Sequence, residues 1–127
     1  MRCLVDTNIF LEVLLNQQNA SQAKALLQKS DIYELFMSDF SLHSILLILS
    51  RRKAFEPAMR FLADIQSGSV AILRVTPGDL IQVVAATRQY ALDFDDAYQY
   101  VLAVEHDLTI VSFDSDFDKT PRGRRLP

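Results

Sequence analysis

Apolar and polar residues alternate along this chain in two rhythms. Short runs of consecutive apolar residues mark buried strands, and stretches with apolar positions three and four apart mark helices. The first rhythm predicts strands over residues 2–5, 32–37, 70–75 and 108–112. The second predicts a helix over residues 8–16, where Ile9, Phe10, Val13 and Leu14 share a face, and another over 21–29, carrying Ala23, Leu26 and Leu27. A longer helix over 38–53 directs Leu42, Ile45, Leu46 and Leu49 to the core, with Ser38, Asp39 and Ser41 available to cap its start. Helices over 57–65, opening near Glu56 and stopped by Gly68, and from Thr76-Pro77 to Tyr90 follow. Asp95 or Asp96 caps a final helix over 97–105, and residues 114–127 read as polar and loop-like, the ending "GRRLP" lacking a clear last strand. Strands alternating with helices predict an α/β domain with a mainly parallel sheet.

The 127 residues fit one domain, taken as 1–127, and half of them are hydrophobic. A chain of that size and character buries a core without staples. One cysteine, Cys3, excludes an internal disulfide framework and fits a reducing, cytoplasmic setting; its place in an apolar run makes it a core residue rather than a nucleophile. No apolar stretch reaches membrane-spanning length and no secretory leader is visible, so no membrane partner is expected. The net charge of −3 rules out a general electrostatic grip on nucleic acid. It leaves only local basic clusters, Arg51-Arg52-Lys53 and Arg122, Arg124 and Arg125.

Ligands of open parallel sheets sit beyond the carboxyl ends of the strands. Asp6 lies just past the end of the first strand, and "LTIVSFD" brings Asp114 to the same kind of place. "LDFDDAYQY" sets Asp93, Asp95 and Asp96 at a helix start, and "FDSDFD" adds Asp116 and Asp118. Carboxylates gathered at one mouth repel each other unless a cation neutralises them. All-oxygen donors suit Mg²⁺ or Mn²⁺, and such a site can activate water against a phosphodiester. Turn and cap formation accounts for the same spacing, and spacing alone leaves both readings open.

These stretches together resemble the PIN domain, and within it the small VapC-type toxin ribonucleases. The likeness runs from "VDTNIFL" to the tail "DFDDAYQYVLAVEHDLTIVSFDSDFD", nearly the whole chain. The resemblance implies a three-layer α/β/α fold with a central parallel sheet, and an acidic pocket that binds Mg²⁺ or Mn²⁺ and hydrolyses RNA. By motif position Asp6, Asp96 and Asp114 match the metal-holding acids, Asp116 the accessory acid and Asn8 the polar support of the first acid. Asp95 adjoins Asp96 and is its alternate in the match. It further implies a small antitoxin partner and a homodimer through the early helices, around Ile9, Phe10, Leu14 and Leu46.

One position departs from the family pattern. The helix glutamate expected in Ser-x-x-Thr-x-x-Glu is Ser44 in "SDFSLHSILLIL". Asp39 and His43 lie nearby, but Asp39 serves equally as a cap, and His43 reads as a structural histidine. Two functional expectations follow: a metal-dependent endoribonuclease gripping RNA through the basic clusters, or a degenerate non-catalytic module. A phosphoacceptor domain of the response-regulator kind fits less well, because Lys119, the only lysine after Lys53, lies in the wrong context.

Overall fold

The computed structural model describes residues 1–29 and 31–127. Its sheet has the order β3-β2-β1-β4, with every pairing parallel. The strands are β1 (Arg2–Val5), β2 (Glu34–Ser38), β3 (Ala71–Leu73) and β4 (Thr109–Val111). Among the described residues six α-helices pack around them: α1 (Thr7–Leu14), α2 (Ala20–Leu27), α3 (Asp39–Arg51), α4 (Phe55–Gln66), α5 (Leu80–Tyr90) and α6 (Phe94–His106).

Alternation along β1 divides the interior. Leu4 faces a core built with α5 and α6, including Val83, Ala97, Val101 and Leu102. Cys3 and Val5 face the opposite core with Ile9, Phe10, Leu26, Ile45 and Phe61 from α1–α4. A parallel sheet covered on both faces needs such near-continuous apolar strands. The three-layer α/β/α arrangement is therefore the expected one, and Cys3 is buried within it.

Several boundaries move, each for a local reason. Asp93, not Asp95 or Asp96, is the residue in extended conformation before α6, so Phe94 begins the helix and both later aspartates lie in its first turn. Helix α4 starts two residues before Pro57; proline is tolerated there because first-turn amides have no intrahelical acceptor. Thr76-Pro77 opens a short 3₁₀ turn over Pro77–Asp79 before α5 begins. Gly68 ends the α4 region with φ +87°, a conformation that favours glycine. The tail is more ordered than expected. A 3₁₀ helix spans Ser115–Lys119, and Arg125 forms a parallel bridge with Val111, adding one residue to the sheet edge.

Ile9 and Phe10 are core residues, so they are not free to form a dimer face. Among the described residues no helix is long and apolar enough to cross a membrane.

Phe117 anchors the 3₁₀ segment, its side chain wholly buried in the core against α5 and α6. Phe117→Ala should lower stability by about 3–5 kcal/mol, the range for a large buried ring leaving a cavity. Urea unfolding measures it, and a loss below about 1 kcal/mol would show that the segment is held by other means.

Candidate metal centre

All the parallel strands end on one side, and α1, α3 and α6 begin there. Strand β1 delivers Asp6 as the N-cap of α1, its carboxylate accepting from the Thr7 amide at 2.7 Å. The Asp6 amide donates to the Val111 carbonyl at 3.0 Å, which ties this turn to the end of β4. Just beyond, Ser112 Oγ donates to Asp6 Oδ2 at 2.6 Å. From α6, Gln99 Nε2 donates to Asp6 Oδ1 at 2.7 Å.

An ionised carboxylate has about four lone-pair positions. Oδ1 takes two donors and Oδ2 takes one, which leaves one position open, on Oδ2. The Ser112 hydroxyl is itself committed. It accepts from Asn8 Nδ2 at 3.2 Å and from the Asp114 amide at 2.8 Å. Asn8 supports Asp6 through Ser112, one step removed from the carboxylate.

Helix α6 carries Asp96 and Gln99, one turn apart and so on one face. Asp114 caps the 3₁₀ helix, its Oδ1 accepting from the Asp116 amide at 2.8 Å. Asp96, Asp114 and Asp116 each offer a carboxylate oxygen, all within 4.8 Å of one another. Asp6 stands outside this close set. Asp95 and Asp93 form a second, overlapping group with Asp96, and both are solvent-exposed.

Burial and crowding push the Asp96 carboxyl up to about 8, with burial the larger cause and the charges of Asp95, Asp6, Asp114 and Asp116 adding to it. Burial also raises Asp6, which is 5% exposed; its hydrogen bonds from Ser112, Gln99 and Thr7 oppose the rise, and Asp114 adds to it. Crowded carboxylates with oxygen donors alone fit a hard divalent cation such as Mg²⁺ or Mn²⁺. Lys119 sits 3.4 Å from Asp116, but this half-exposed pair offsets little of the charge.

Helix α3 contributes polarity without charge. Ser38 Oγ caps the Ser41 amide at 2.9 Å, and Thr7 Oγ1 donates to Ser41 Oγ at 2.8 Å. Ser44 follows one turn after Ser41, half-buried, and brings no negative charge. Asp39 is otherwise engaged: it accepts from the Tyr98 hydroxyl at 2.8 Å and so ties α3 to α6. His43 is exposed.

The basic residues expected to grip RNA are mostly occupied or distant. Arg122 pairs with Asp107 at 2.6 Å, and Arg124 pairs with Asp118 while donating to the Ser112 carbonyl. Arg125 reaches Met1 Sδ at 3.4 Å. Arg51 and Arg52 lie at the far end of the 13-residue α3, about 20 Å along its axis from the acids.

Sequence reasoning missed Gln99 and Ser112. Ser112 is visible as the polar residue that ends an apolar strand two positions before Asp114. Gln99 carries a sharper signal, a lone amide among the apolar positions of α6. It is 2% exposed, and its Oε1 has no hydrogen-bond partner among the described residues. A buried acceptor left unpaired costs about 1–3 kcal/mol, so a water or cation-borne donor is called for there.

The raised Asp96 value sets a pH dependence. Its proton is held more tightly in the folded chain than in the unfolded one, whose carboxyl titrates near 3.8. The contribution of Asp96 to metal-free stability is therefore fully present below that value and is lost as pH rises through about 8. A cation displaces the proton, so Mn²⁺ affinity should climb over the same window. Asp96→Asn should flatten the fall in melting temperature, measured by thermal unfolding in EDTA from pH 4 to 8; an unchanged slope would assign the strain elsewhere.

The fold is shared with known structures. VapC20 of Mycobacterium tuberculosis, described as a sarcin–ricin-loop-cleaving toxin, superposes with a TM-score of 0.80 at 21% identity over 98% of this chain and 99% of that one. VapBC2 from Rickettsia felis, bound to a DNA fragment from its promoter, has a TM-score of 0.76 at 17% identity over 98% and 96%. A toxin–antitoxin complex from Klebsiella pneumoniae has 0.71 at 20% over 94% and 92%. No curated protein matches the chain significantly in sequence. The family model for the PIN domain matches residues 3–123, from the strand before Asp6 to the turn beyond Asp116. The chain belongs to the PIN domain family.

Proposed function

We propose that this chain is a metal-dependent endoribonuclease that hydrolyses RNA phosphodiester bonds, acting as the toxin of a toxin–antitoxin pair. The observation that carries the reading is the set of three carboxylates within 4.8 Å, backed by Asp6 with a single open lone pair. The similar structures include toxin–antitoxin complexes, which supports a small antitoxin as partner. A homodimer is the oligomeric form that accompanies this reading.

Asp96, Asp114 and Asp116 would hold Mg²⁺ or Mn²⁺ as oxygen donors. When bound, the ion supplies a Lewis acid that lowers the pKa of water and neutralises charge on the phosphodiester. Asp6, whose Oδ2 accepts only from Ser112, would have one position left to hold and orient a water. Ser112 and Gln99 keep that carboxylate from rotating, because each holds a different oxygen. Asp6 and Asp96 are buried, whereas Asp114 and Asp116 are half-buried, so the donor set opens to solvent and substrate on their side.

A second reading rests on Ser44. Where the family pattern places a glutamate, α3 brings only a hydroxyl, so the pocket is one charge short. In that reading the domain folds and recognises a partner without cutting.

Two measurements separate the readings. Calorimetric titration of Mn²⁺ should show binding to the wild-type protein and a loss of about 10- to 100-fold in Asp6→Asn, the range for disturbed metal-site support. RNA cleavage should fall with it, and cleavage that survives Asp6→Asn would defeat the nuclease reading. Ser44→Glu should tighten Mn²⁺ binding if the pocket is otherwise intact. Tight binding with no cleavage in either protein would favour the non-catalytic module.

A further inference from the structure

Three aromatic rings stand beside the acidic mouth and have no part in holding metal. Phe40 is the second residue of α3 and Phe94 the first of α6. Their ring centroids lie 6.0 Å apart, and Tyr98 completes the group at 5.6 Å from Phe40 and 6.3 Å from Phe94. Tyr98 is buried and fixed by two hydrogen bonds, donating to Asp39 at 2.8 Å and accepting from the Val75 amide at 2.9 Å. Phe40 and Phe94 instead remain 37% and 43% exposed. Two phenyl rings left in water at helix starts, on a rigid base, form a surface that a flat apolar partner would cover.

Position narrows what that partner is. Phe94 lies two residues before Asp96, and Asp93 and Asp95 flank it, exposed. A phosphate or an acidic side chain resting on the rings would meet those charges. An uncharged planar group meets no such penalty. One cation is close by: Arg74 follows β3 at the carboxyl edge of the sheet, next to Val75, whose amide is bonded to Tyr98. Arg74 is exposed and makes no ion pair among the described residues. Of the arginines expected to grip RNA, none is so placed. A neutral ring on the aromatics with a phosphate on the guanidinium is the layout of one nucleotide in a single strand.

We propose that Phe40 and Phe94 are a stacking platform for one unpaired base of the RNA substrate, with Arg74 taking an adjacent phosphate. This rests on the endoribonuclease reading and adds to it a requirement: the strand must be unpaired where it crosses these rings, because a base inside a duplex cannot offer its face. The platform selects for loops and single strands. It does so through the π-face that every base possesses, so it carries little preference among bases.

The chain contains no tryptophan, which makes a reporter simple to install. In an Asp114→Asn background that does not cut, Phe94→Trp should have its emission quenched by a mixed-sequence single-stranded oligoribonucleotide and not by the same sequence annealed into a duplex. Phe94→Leu should weaken binding of that single strand about tenfold in this background, as loss of one stacked base does, and in the chain with Asp114 intact it should leave Mn²⁺ affinity unchanged. Phe94→Trp should retain the affinity. Ile81→Ala, an exposed apolar change on the outer face of α5, is the control and should alter nothing. Equal binding by Phe94→Leu and its parent would overturn the platform and leave the nuclease reading standing. Equal quenching by duplex would overturn it too. If the wild-type protein neither binds nor cuts RNA, single- or double-stranded, the nuclease reading itself fails and the rings belong to a protein partner.

Discussion

The carboxylate of Asp6 is the point on which this structure turns. It is buried at the seam where β1 ends, α1 begins and β4 passes alongside, and it ties those elements to α6 through Gln99 and to the strand end through Ser112. A buried ionised group is tolerable only when its lone pairs are satisfied. Three donors from three segments offset part of the cost of burying Asp6, although burial still raises its pKa, and the same bonds fix the ends of those segments. Structure and chemistry therefore share one set of bonds. The site is preorganised by the same bonds that join these elements.

From that seam outward the arrangement follows from chain direction. Parallel strands put all their carboxyl ends together, and each following helix begins there with its amide groups unpaired. Side chains that cap those helices are drawn to the same mouth. This is why acids that serve as caps, such as Asp6 and Asp114, are also the acids available to a cation. The capping and metal readings of the sequence compete on paper and coexist in the molecule.

Much of this was legible in the residues. The apolar runs marked all four strands, and the 3.6-residue spacing marked the helices, because burial on both faces of the sheet demands it. The position of each acid at a strand or helix end was legible for the same reason. What could not be read was convergence. Asp116 joins Asp96 and Asp114 at close range while Asp6 is held a step back, and that depends on turn geometry that no spacing reports. Gln99 was passed over because a lone amide on an apolar helix face resembles a boundary residue until its partner, 93 positions away, is in view. The basic clusters misled in the other direction: charge in sequence says nothing of whether a neighbouring aspartate has already claimed it, as Asp107 and Asp118 have claimed Arg122 and Arg124.

The pairing of Arg125 with Val111 matters beyond the site. Strand β4 lies at the outside of the sheet, and an uncovered outer strand presents free amides and carbonyls that invite another chain to add on. The Arg125 amide bonds to the Ile110 carbonyl at 2.8 Å, and its carbonyl accepts from the Ser112 amide at 3.0 Å. Those groups are thereby used up within the molecule. The opposite edge, β3, is only three residues long and flanked by charge at Arg74. A sheet whose two margins are closed, one by a return of its own backbone and one by brevity, resists joining with copies of itself into aggregates.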